Sequence, residues 1–333
     1  MLRNRILFAL AVNAAIVTGA ISFSTRYQWF QESLSLQKEI LEAFRVRGGG
    51  NAHPNWLVQS NSGRILMPTV MRSIETLGMP WPHAFSLVRL LTIVAAYILF
   101  LQYLRGWFDD AAALAGLLFV AATIPLTFSN WLEIPTDFPE LIAFTLAYGA
   151  LRSDRDRRLV PLVFIATFNR ETTFFIPMLV FAVRSRWDRP LSGLRAALPS
   201  ATAWAVPYVA IRWWTGVPLL GAYGSTWDHN LFGLQHFLGN WNLYNHYLYY
   251  AWLLGPFWVL PILYRNRLPM VLRRALWTLP AFMFVYVLRG GWLNEPRPLM
   301  PLYCMLVPAG LFCLFPEHRT EKELRATIGD GTP

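Results

Sequence analysis

The sequence contains few charged residues. Asp, Glu, Lys and Arg make up 14% of its 333 residues, whereas a soluble globular domain usually carries about 25%. The apolar set AVILMFWYC supplies 55%, and the mean hydropathy is +0.35. This balance excludes a disordered segment, a coiled-coil rod and a soluble enzyme of this size. The composition therefore predicts an integral membrane protein.

Cysteine is nearly absent. Cys304 and Cys313 are nine residues apart in one apolar segment, roughly 13 Å along a helix, which is too far for a disulfide. The chain is therefore not a disulfide-stapled secreted module. It has no HExxH or CxxC pattern, and the irregular spacing of His229, His236 and His246 matches no metal motif. The metal requirement stays unknown, with a divalent cation as an option, and no cofactor is predicted with certainty.

Acidic residues are outnumbered by basic ones. There are 29 basic and 19 acidic residues, which gives a formal net charge of +10. Such an excess can indicate nucleic-acid binding, but the sequence has no zinc-finger spacing and no RNP-like aromatic motif. In a membrane protein the excess instead reports orientation, because cytoplasmic loops are enriched in Lys and Arg. We therefore expect no nucleic-acid partner.

Apolar runs recur along the chain, and about 20 apolar residues suffice to cross a bilayer. The runs cover residues 6–23, 84–104, 111–131, 140–151, 159–183, 196–214, 248–264, 275–288 and 299–315. This pattern predicts an all-α fold, a polytopic bundle of about ten transmembrane helices with both termini cytoplasmic.

The run at 159–183 is predicted to be a hairpin of two short helices. Arginines flank it at both ends: Arg152, Arg155, Arg157 and Arg158 before it, and Arg184, Arg186 and Arg189 after it. A single span would place one basic cluster on each side of the membrane. The positive-inside rule therefore predicts that the chain reverses at Asn169-Arg170-Glu171, with both basic clusters in the cytoplasm.

Residues 1–333 are predicted to form a single transmembrane domain. Its outer loop, residues 24–83, carries an amphipathic helix over 31–44, where apolar residues repeat at helical spacing. A second outer loop, residues 215–247, is rich in Trp, Tyr and Phe. That composition is typical of an interfacial aromatic belt, with a sugar-stacking wall as the alternative. Residues 316–333 are predicted to be a cytoplasmic tail.

Ionisable residues near the membrane are the candidate functional groups, because charges at membrane depth are costly. On the ten-span topology they converge on the non-cytoplasmic side: Arg64, Glu133, Asp137, Arg170, Glu171, Glu295 and Arg297. A carboxylate there can act as a general base toward a hydroxyl, and an arginine can bind a phosphate through two hydrogen bonds. Structural alternatives stay open: Asp137 with Glu140 fits a capping box, and Arg170 with Glu171 fits an ion pair that closes the hairpin.

Four short motifs carry a resemblance to a known group. Arg64 begins an R-x-L-x-P element, within Gly63-Arg64-Ile65-Leu66-Met67-Pro68, that resembles one found before the second span in a broad group of bacterial polytopic proteins. Three further elements of that group, named TD, RET and E-x-R, have counterparts in this chain. The counterparts are, in the same order, Thr136-Asp137, Asn169-Arg170-Glu171-Thr172 and Glu295-Pro296-Arg297. Order and spacing agree over residues 63–308, and the group is similar in layout to the GT-C superfamily of membrane glycosyltransferases.

The resemblance implies a glycosyltransferase of the bacterial inner membrane. Its partners would be membrane lipid, a polyprenyl-phosphate sugar donor, and a glycan, lipid or protein acceptor on the non-cytoplasmic face. The catalytic candidates are Asp137, Glu32 and Glu171. The candidates for binding substrate or phosphate are Arg64, Arg170, Arg297, Glu295, Asn169 and Glu133.

The chain departs from the GT-C pattern in its first outer loop. GT-C enzymes usually carry a catalytic Asp or Glu there, often in an acidic motif, but residues 24–83 contain no Asp. Glu32 is the nearest substitute, followed by Glu39 and Glu42. The base is therefore Glu32 or Asp137, or the chain has lost activity. Two other functions stay open: a transporter or flippase for a lipid-linked or anionic substrate, and a non-catalytic subunit of a glycan-assembly complex.

Overall fold

The computed structural model describes residues 2–24, 27–127, 135–185, 189, 191–219, 254–280, 282 and 297–320. Within these ranges the elements are helices and no β-strand is present; Phe108 and Arg319 form an isolated bridge. The prediction of an all-α fold is confirmed for this part of the chain.

The helices of the first half are α1 (Leu2–Ser24), α2 (Tyr27–Phe44), α3 (Gly49–Ala52), α4 (Trp56–Asn61), α5 (Leu66–Thr76), α6 (Trp81–Arg105) and α7 (Asp110–Thr127). The helices of the second half are α8 (Asp137–Arg152), α9 (Leu159–Thr167), α10 (Phe175–Arg184), α11 (Leu191–Thr215), α12 (Pro256–Leu263), α13 (Met270–Ala275) and α14 (Tyr303–Leu314).

The core of the bundle forms around α6, which packs against α1, α5, α7 and α8. Tyr97, Phe100 and Leu104 are buried and lie three and four residues apart, so they share one face of the helix. The packing between α7 and α14 is close at Gly116. A Cβ atom there would lie 2.8 Å from methyl groups of Leu104 and Leu311, so this crossing requires a residue without a side chain.

Apolar side chains also cover the outside of the bundle. Val17 of α1, Ile165 of α9 and Leu198 of α11 are each more than half exposed, and exposed apolar surface of this kind marks contact with a membrane or a partner. By length and apolar composition, Trp81–Arg105 and Asp110–Thr127 can cross a membrane. These features support a membrane protein.

One end of the bundle gathers the loops that the sequence predicts to be cytoplasmic. Arg105 at the end of α6 donates to Asn4 of α1 at 2.9 Å and to Asp110 of α7 at 2.7 Å. Arg152 at the end of α8 donates to the carbonyl oxygen of Gly106. The ends of α1, α6, α7 and α8 that carry these residues therefore lie together.

Residues 159–183 form the predicted hairpin. Arg184, at the end of α10, donates to both carboxylate oxygens of Asp156 at 2.7 and 2.8 Å and to the carbonyl oxygen of Leu151 at 3.0 Å. The end of α10 therefore lies beside the start of α9, and the chain reverses between them. Extended backbone at Arg170 (φ −162°, ψ 136°) interrupts the helix there.

The hairpin is shorter than the ten-span prediction requires. Its helices α9 and α10 have nine and ten residues, or about 14 and 15 Å, whereas the hydrocarbon core is about 30 Å thick. Trp204, near the middle of the 25-residue α11, donates its indole N–H to the carbonyl oxygen of Glu171 at 3.1 Å. The tip therefore lies about half way along α11.

The amphipathic helix of the first outer loop is present as α2, which begins four residues before the predicted segment at 31–44. Leu36 and Ile40 are buried against Val58 of α4. Trp81 donates its indole N–H to the carbonyl oxygen of Leu34 at 3.1 Å. The apolar face of α2 thus packs on other protein segments. The aromatic loop at 215–247 lies outside the described residues beyond residue 219.

A clip holds the chain after α14 against the loop between α6 and α7. The amide of Asp109 donates to the carbonyl oxygen of His318 at 2.8 Å, and the amide of Thr320 donates to that of Trp107 at 3.0 Å. Nδ1 of His318 lies 2.8 Å from Oδ2 of Asp109. This hydrogen bond raises the pKa of His318 above its ordinary value. Burial alone would raise the pKa of Asp109, but hydrogen bonds from the Ala112 amide and from His318 hold it below its ordinary value.

We expect Gly116→Leu to lower the free energy of unfolding by about 1–3 kcal/mol, the usual range for overpacking a core. Gly149→Leu is the matched control, because a Cβ atom at Gly149 meets nothing within 4 Å. Thermal unfolding in detergent measures both variants. Equal midpoints for the two variants would contradict the close packing at Gly116.

We expect the clip to be most stable between the lowered pKa of Asp109 and the raised pKa of His318. The contribution of His318 is complete below the ordinary histidine pKa and is lost as the pH rises through the raised value. The contribution of Asp109 is lost as the pH falls through its lowered pKa. The protection of the Thr320 amide from hydrogen exchange, relative to its intrinsic rate at the same pH, should therefore fall as the pH rises through the pKa of His318. The same profile in His318→Gln would show that this pair does not control the clip.

Candidate functional site

Charged side chains from three chain segments meet at the hairpin tip. One segment is the start of α8, the second is the tip itself, and the third is the loop before α5. The amide of Leu66, the first residue of α5, donates to the carbonyl oxygen of Phe168 at 3.0 Å. This bond holds the third segment against the tip.

Arg170 lies between two carboxylates of α8. Its Nη1 donates to Oδ1 of Asp137 at 2.6 Å and to Oε2 of Glu140 at 2.7 Å. Asp137 and Glu140 are fully buried, and Arg170 is 2% exposed. The two acids are three residues apart, so both project from one face of the helix. The hydroxyl of Thr172 donates to the other oxygen of Glu140.

The capping-box interpretation of Asp137 and Glu140 is wrong. Thr136 is the N-cap residue of α8, and Asp137 is the first residue within the helix. The amide of Glu140 donates to the carbonyl oxygen of Thr136 at 3.1 Å. Both carboxylates instead accept charge-assisted hydrogen bonds from the buried guanidinium of Arg170.

Asn169 joins the tip to the start of α8. Its Nδ2 donates to the carbonyl oxygen of Thr136 at 2.8 Å. Within the described ranges, Oδ1 of Asn169 and Oγ1 of Thr136 are buried without a hydrogen-bond partner. Buried polar groups usually have a partner, so these two atoms mark a place where a water molecule or ligand group could bind.

Arg64 and Glu171 form the more accessible edge of the site. Nε and Nη2 of Arg64 donate to the two carboxylate oxygens of Glu171 at 3.3 and 2.9 Å. The side chains are 14% and 27% exposed. This two-point geometry is the one in which arginine also binds phosphate.

The two ion-paired groups form one electrostatic cluster. The charge of Arg64 also acts on Glu140 at longer range, and that of Arg212 of α11 acts on Glu171. Among the described residues the cluster therefore contains three acids, Asp137, Glu140 and Glu171, and three arginines. The charges of these six residues balance, which reduces the free energy needed to keep them within an apolar bundle.

The other predicted residues are placed differently. Glu32 is exposed on α2, and no hydrogen bond or ion pair among the described residues joins it to the cluster. Arg297 begins the 3-10 helix Arg297–Leu302, which packs against α8. Glu133 and Glu295 lie outside the described residues. In the described part of the chain no three His, Cys, Asp or Glu residues are grouped as a metal site.

Glu140 and Arg212 were not among the predicted site residues, and Thr172 was named only as the last residue of the RET element. The spacing of Asp137 and Glu140 was a usable signal, because residues three apart on a helix share a face and can bind one cation. Arg212 gave no such signal, since only the packing of α11 brings it close.

No family model matches the chain, and no match is found among curated proteins or solved structures.

We expect Arg170→Met to lower the free energy of unfolding by about 3–5 kcal/mol, because it leaves two buried carboxylates without their cation. Arg64→Met should cost less, since water reaches that pair. The combined variant Arg170→Met, Asp137→Asn and Glu140→Gln should recover part of the loss, because it removes the unpaired charges. Thermal unfolding in detergent measures this series, and a combined variant no more stable than Arg170→Met would contradict the ion-pair account.

Proposed function

We propose that this protein is a membrane glycosyltransferase that transfers a sugar from a polyprenyl-phosphate donor to an acceptor on the non-cytoplasmic face. The supporting observation is the convergence of Arg64, Asp137, Arg170 and Glu171 from three chain segments. Together they supply carboxylates to accept a proton and guanidinium groups to neutralise a phosphate.

The proposal places the chain in the bacterial inner membrane as a multi-pass protein with both termini cytoplasmic. The apolar exterior and the two long apolar helices support a membrane location. The basic residues Arg105, Arg152 and Arg184 lie at the end opposite the cluster, as the positive-inside rule expects. The hairpin then enters from the cytoplasmic side and carries the cluster into the bundle, where non-helical backbone is tolerated because protein surrounds it.

The proposed reaction is a substitution at the anomeric carbon of the donor sugar. The acceptor hydroxyl forms the new bond to that carbon and gives its proton to a carboxylate. The bond between the anomeric carbon and the phosphate oxygen breaks, and its electron pair leaves with the lipid phosphate. An arginine neutralises the charge that develops on this phosphate.

The acids differ in how exposed their side chains are, and this gives them different roles in the proposed reaction. Asp137 is fully buried and bound to Arg170, so it positions the guanidinium. Glu171 lies at the accessible edge on Arg64, and phosphate binding by Arg64 would release its carboxylate to act as the base. Glu32 is the second candidate base. Its side chain is exposed, and it lies on the predicted outer loop, residues 24–83, that also carries Arg64.

One observation favours a second function. Asp137, Glu140 and Arg170 bind one another and are almost completely buried, an arrangement expected of a structural network. In a non-catalytic subunit of a glycan-assembly complex, these three residues would only stabilise the fold. Such a subunit would show no transfer alone and would co-purify with an active glycosyltransferase.

We expect Glu171→Gln to reduce transfer from a polyprenyl-phosphate sugar by about 100-fold or more, because removal of a general base commonly costs that much. Glu75→Gln is the control, since Glu75 lies on α5 and pairs with Arg72 away from the tip. The purified full chain in detergent would be assayed with radiolabelled donor. Thermal unfolding would show that both variants remain folded.

Transfer that survives Glu171→Gln, Glu32→Gln and Asp137→Asn alike would rule out the carboxylate mechanism. Uptake of a lipid-linked substrate into liposomes without a covalent product would instead identify a transporter or flippase.

A further inference from the structure

A cavity of about 590 Å³ opens between α6, α8 and α9. This volume is within the usual range for small-molecule sites. On α8 the cavity is lined from Thr145 to Ser153, so its wall begins about 12 Å along the helix from Asp137 and reaches about 22 Å at Arg152. None of its lining residues belongs to the cluster at the hairpin tip, so the two sites are separate.

The acidic and the basic side chains of the loop between α8 and α9 lie in different surroundings. Its acids, Asp154 and Asp156, both bind Arg184 at 2.6 and 2.7 Å. Arg155 and Arg158 line the cavity and are exposed. In the described part of the chain, neither of these two arginines binds a carboxylate. The cavity rim therefore carries two positive charges to which no acidic side chain of the described ranges is bound.

A third arginine forms part of the wall. Arg152 donates to the carbonyl oxygen of Gly106 and lies 4.4 Å above the ring of Trp107. These contacts fix its position, and its charge adds to that of the rim. The positive field at the cavity mouth therefore attracts an anion.

Below the arginines, leucines supply the apolar part of the cavity wall, beside the polar side chains of Gln102, Tyr103 and Thr145. Leu99 of α6, Leu146 of α8 and Leu162 of α9 line it. Leu146 is six residues before Arg152, and Leu162 is four residues after Arg158, so these leucines lie roughly 6–9 Å deeper along their helices. Gly149 faces open space, because a Cβ atom there would meet nothing within 4 Å.

We propose that this cavity binds an anionic phospholipid of the cytoplasmic leaflet. Arg155 and Arg158 hold the headgroup phosphate, and an acyl chain lies along Leu99, Leu146 and Leu162. Basic pockets between membrane helices on the cytoplasmic side recognise lipid phosphates in this way. The inference rests on the membrane placement proposed above and is independent of sugar transfer.

The test is equilibrium binding of fluorescent short-chain phosphatidylglycerol to the purified full chain in nonionic detergent. Each arginine near a lipid headgroup contributes about five-fold in affinity. Arg155→Ala with Arg158→Ala should therefore weaken binding about 25-fold. Arg157→Ala is the control on the same loop, because Arg157 is exposed and does not line the cavity. Its loss should stay below the roughly five-fold effect of one headgroup contact.

A second variant tests the cavity without changing charge. Gly149→Leu fills open space, so we expect loss of phosphatidylglycerol binding with an unchanged unfolding midpoint. Unlabelled phosphatidylglycerol should compete for the site, whereas phosphatidylcholine and inorganic phosphate should not.

Three results would overturn the proposal. Equal losses in Arg157→Ala and in the double variant would assign the effect to loop charge. Full binding by Gly149→Leu would place the lipid elsewhere. Competition by inorganic phosphate as effective as that by phosphatidylglycerol would identify a soluble anion as the ligand. Because no sugar donor is used, each of these results is independent of the outcome of the transfer assay.

Discussion

The contact between Arg170 and the two carboxylates of α8 is the constraint on which the centre of this molecule depends. A guanidinium and two carboxylates are each costly to remove from water, and the cost is offset only when they bind one another closely. The tip of the hairpin and the start of α8 must therefore meet at this point. The same contact explains why α9 and α10 are each only about half as long as a membrane-spanning helix. The helix is interrupted at Arg170, where extended backbone lets its side chain reach Asp137.

Charge placement differs between the hairpin tip and the end of the bundle that carries Arg152. At the hairpin tip the described acids and arginines balance and are largely buried. At the end of the bundle Arg155 and Arg158 are exposed at a cavity, and no carboxylate of the described residues binds them. In a buried cluster whose acids and arginines neutralise one another, a charged ligand binds only by displacing one member of an ion pair. A cavity rim with an excess of arginines attracts anions directly.

Much of the helical layout could be predicted from the sequence. Long apolar runs predicted the positions of α1, α6 and α11, and arginines on both sides of residues 159–183 predicted the hairpin, which Arg184 and Asp156 confirm. The position of the hairpin tip within the bundle could not be predicted in this way. The apolar run at 159–183 is long enough for one complete span, and the interruption of its helix depends on contacts with α8. The pairing of Arg64 with Glu171 was equally hidden, because 107 residues separate the two along the chain.

The sequence by itself determined that the chain is apolar, helical and basic at defined loops, because hydropathy and charge are properties of short segments. It also singled out Asp137, Arg170 and Glu171, since charges within or close to apolar runs are few. Only the tertiary structure decided that Glu140 binds Arg170 instead of capping a helix, and that Asp154 and Asp156 bind Arg184 and leave Arg155 at the cavity. Choices among charged partners depend on which helix faces meet, and that geometry arises only from the packing of the whole bundle.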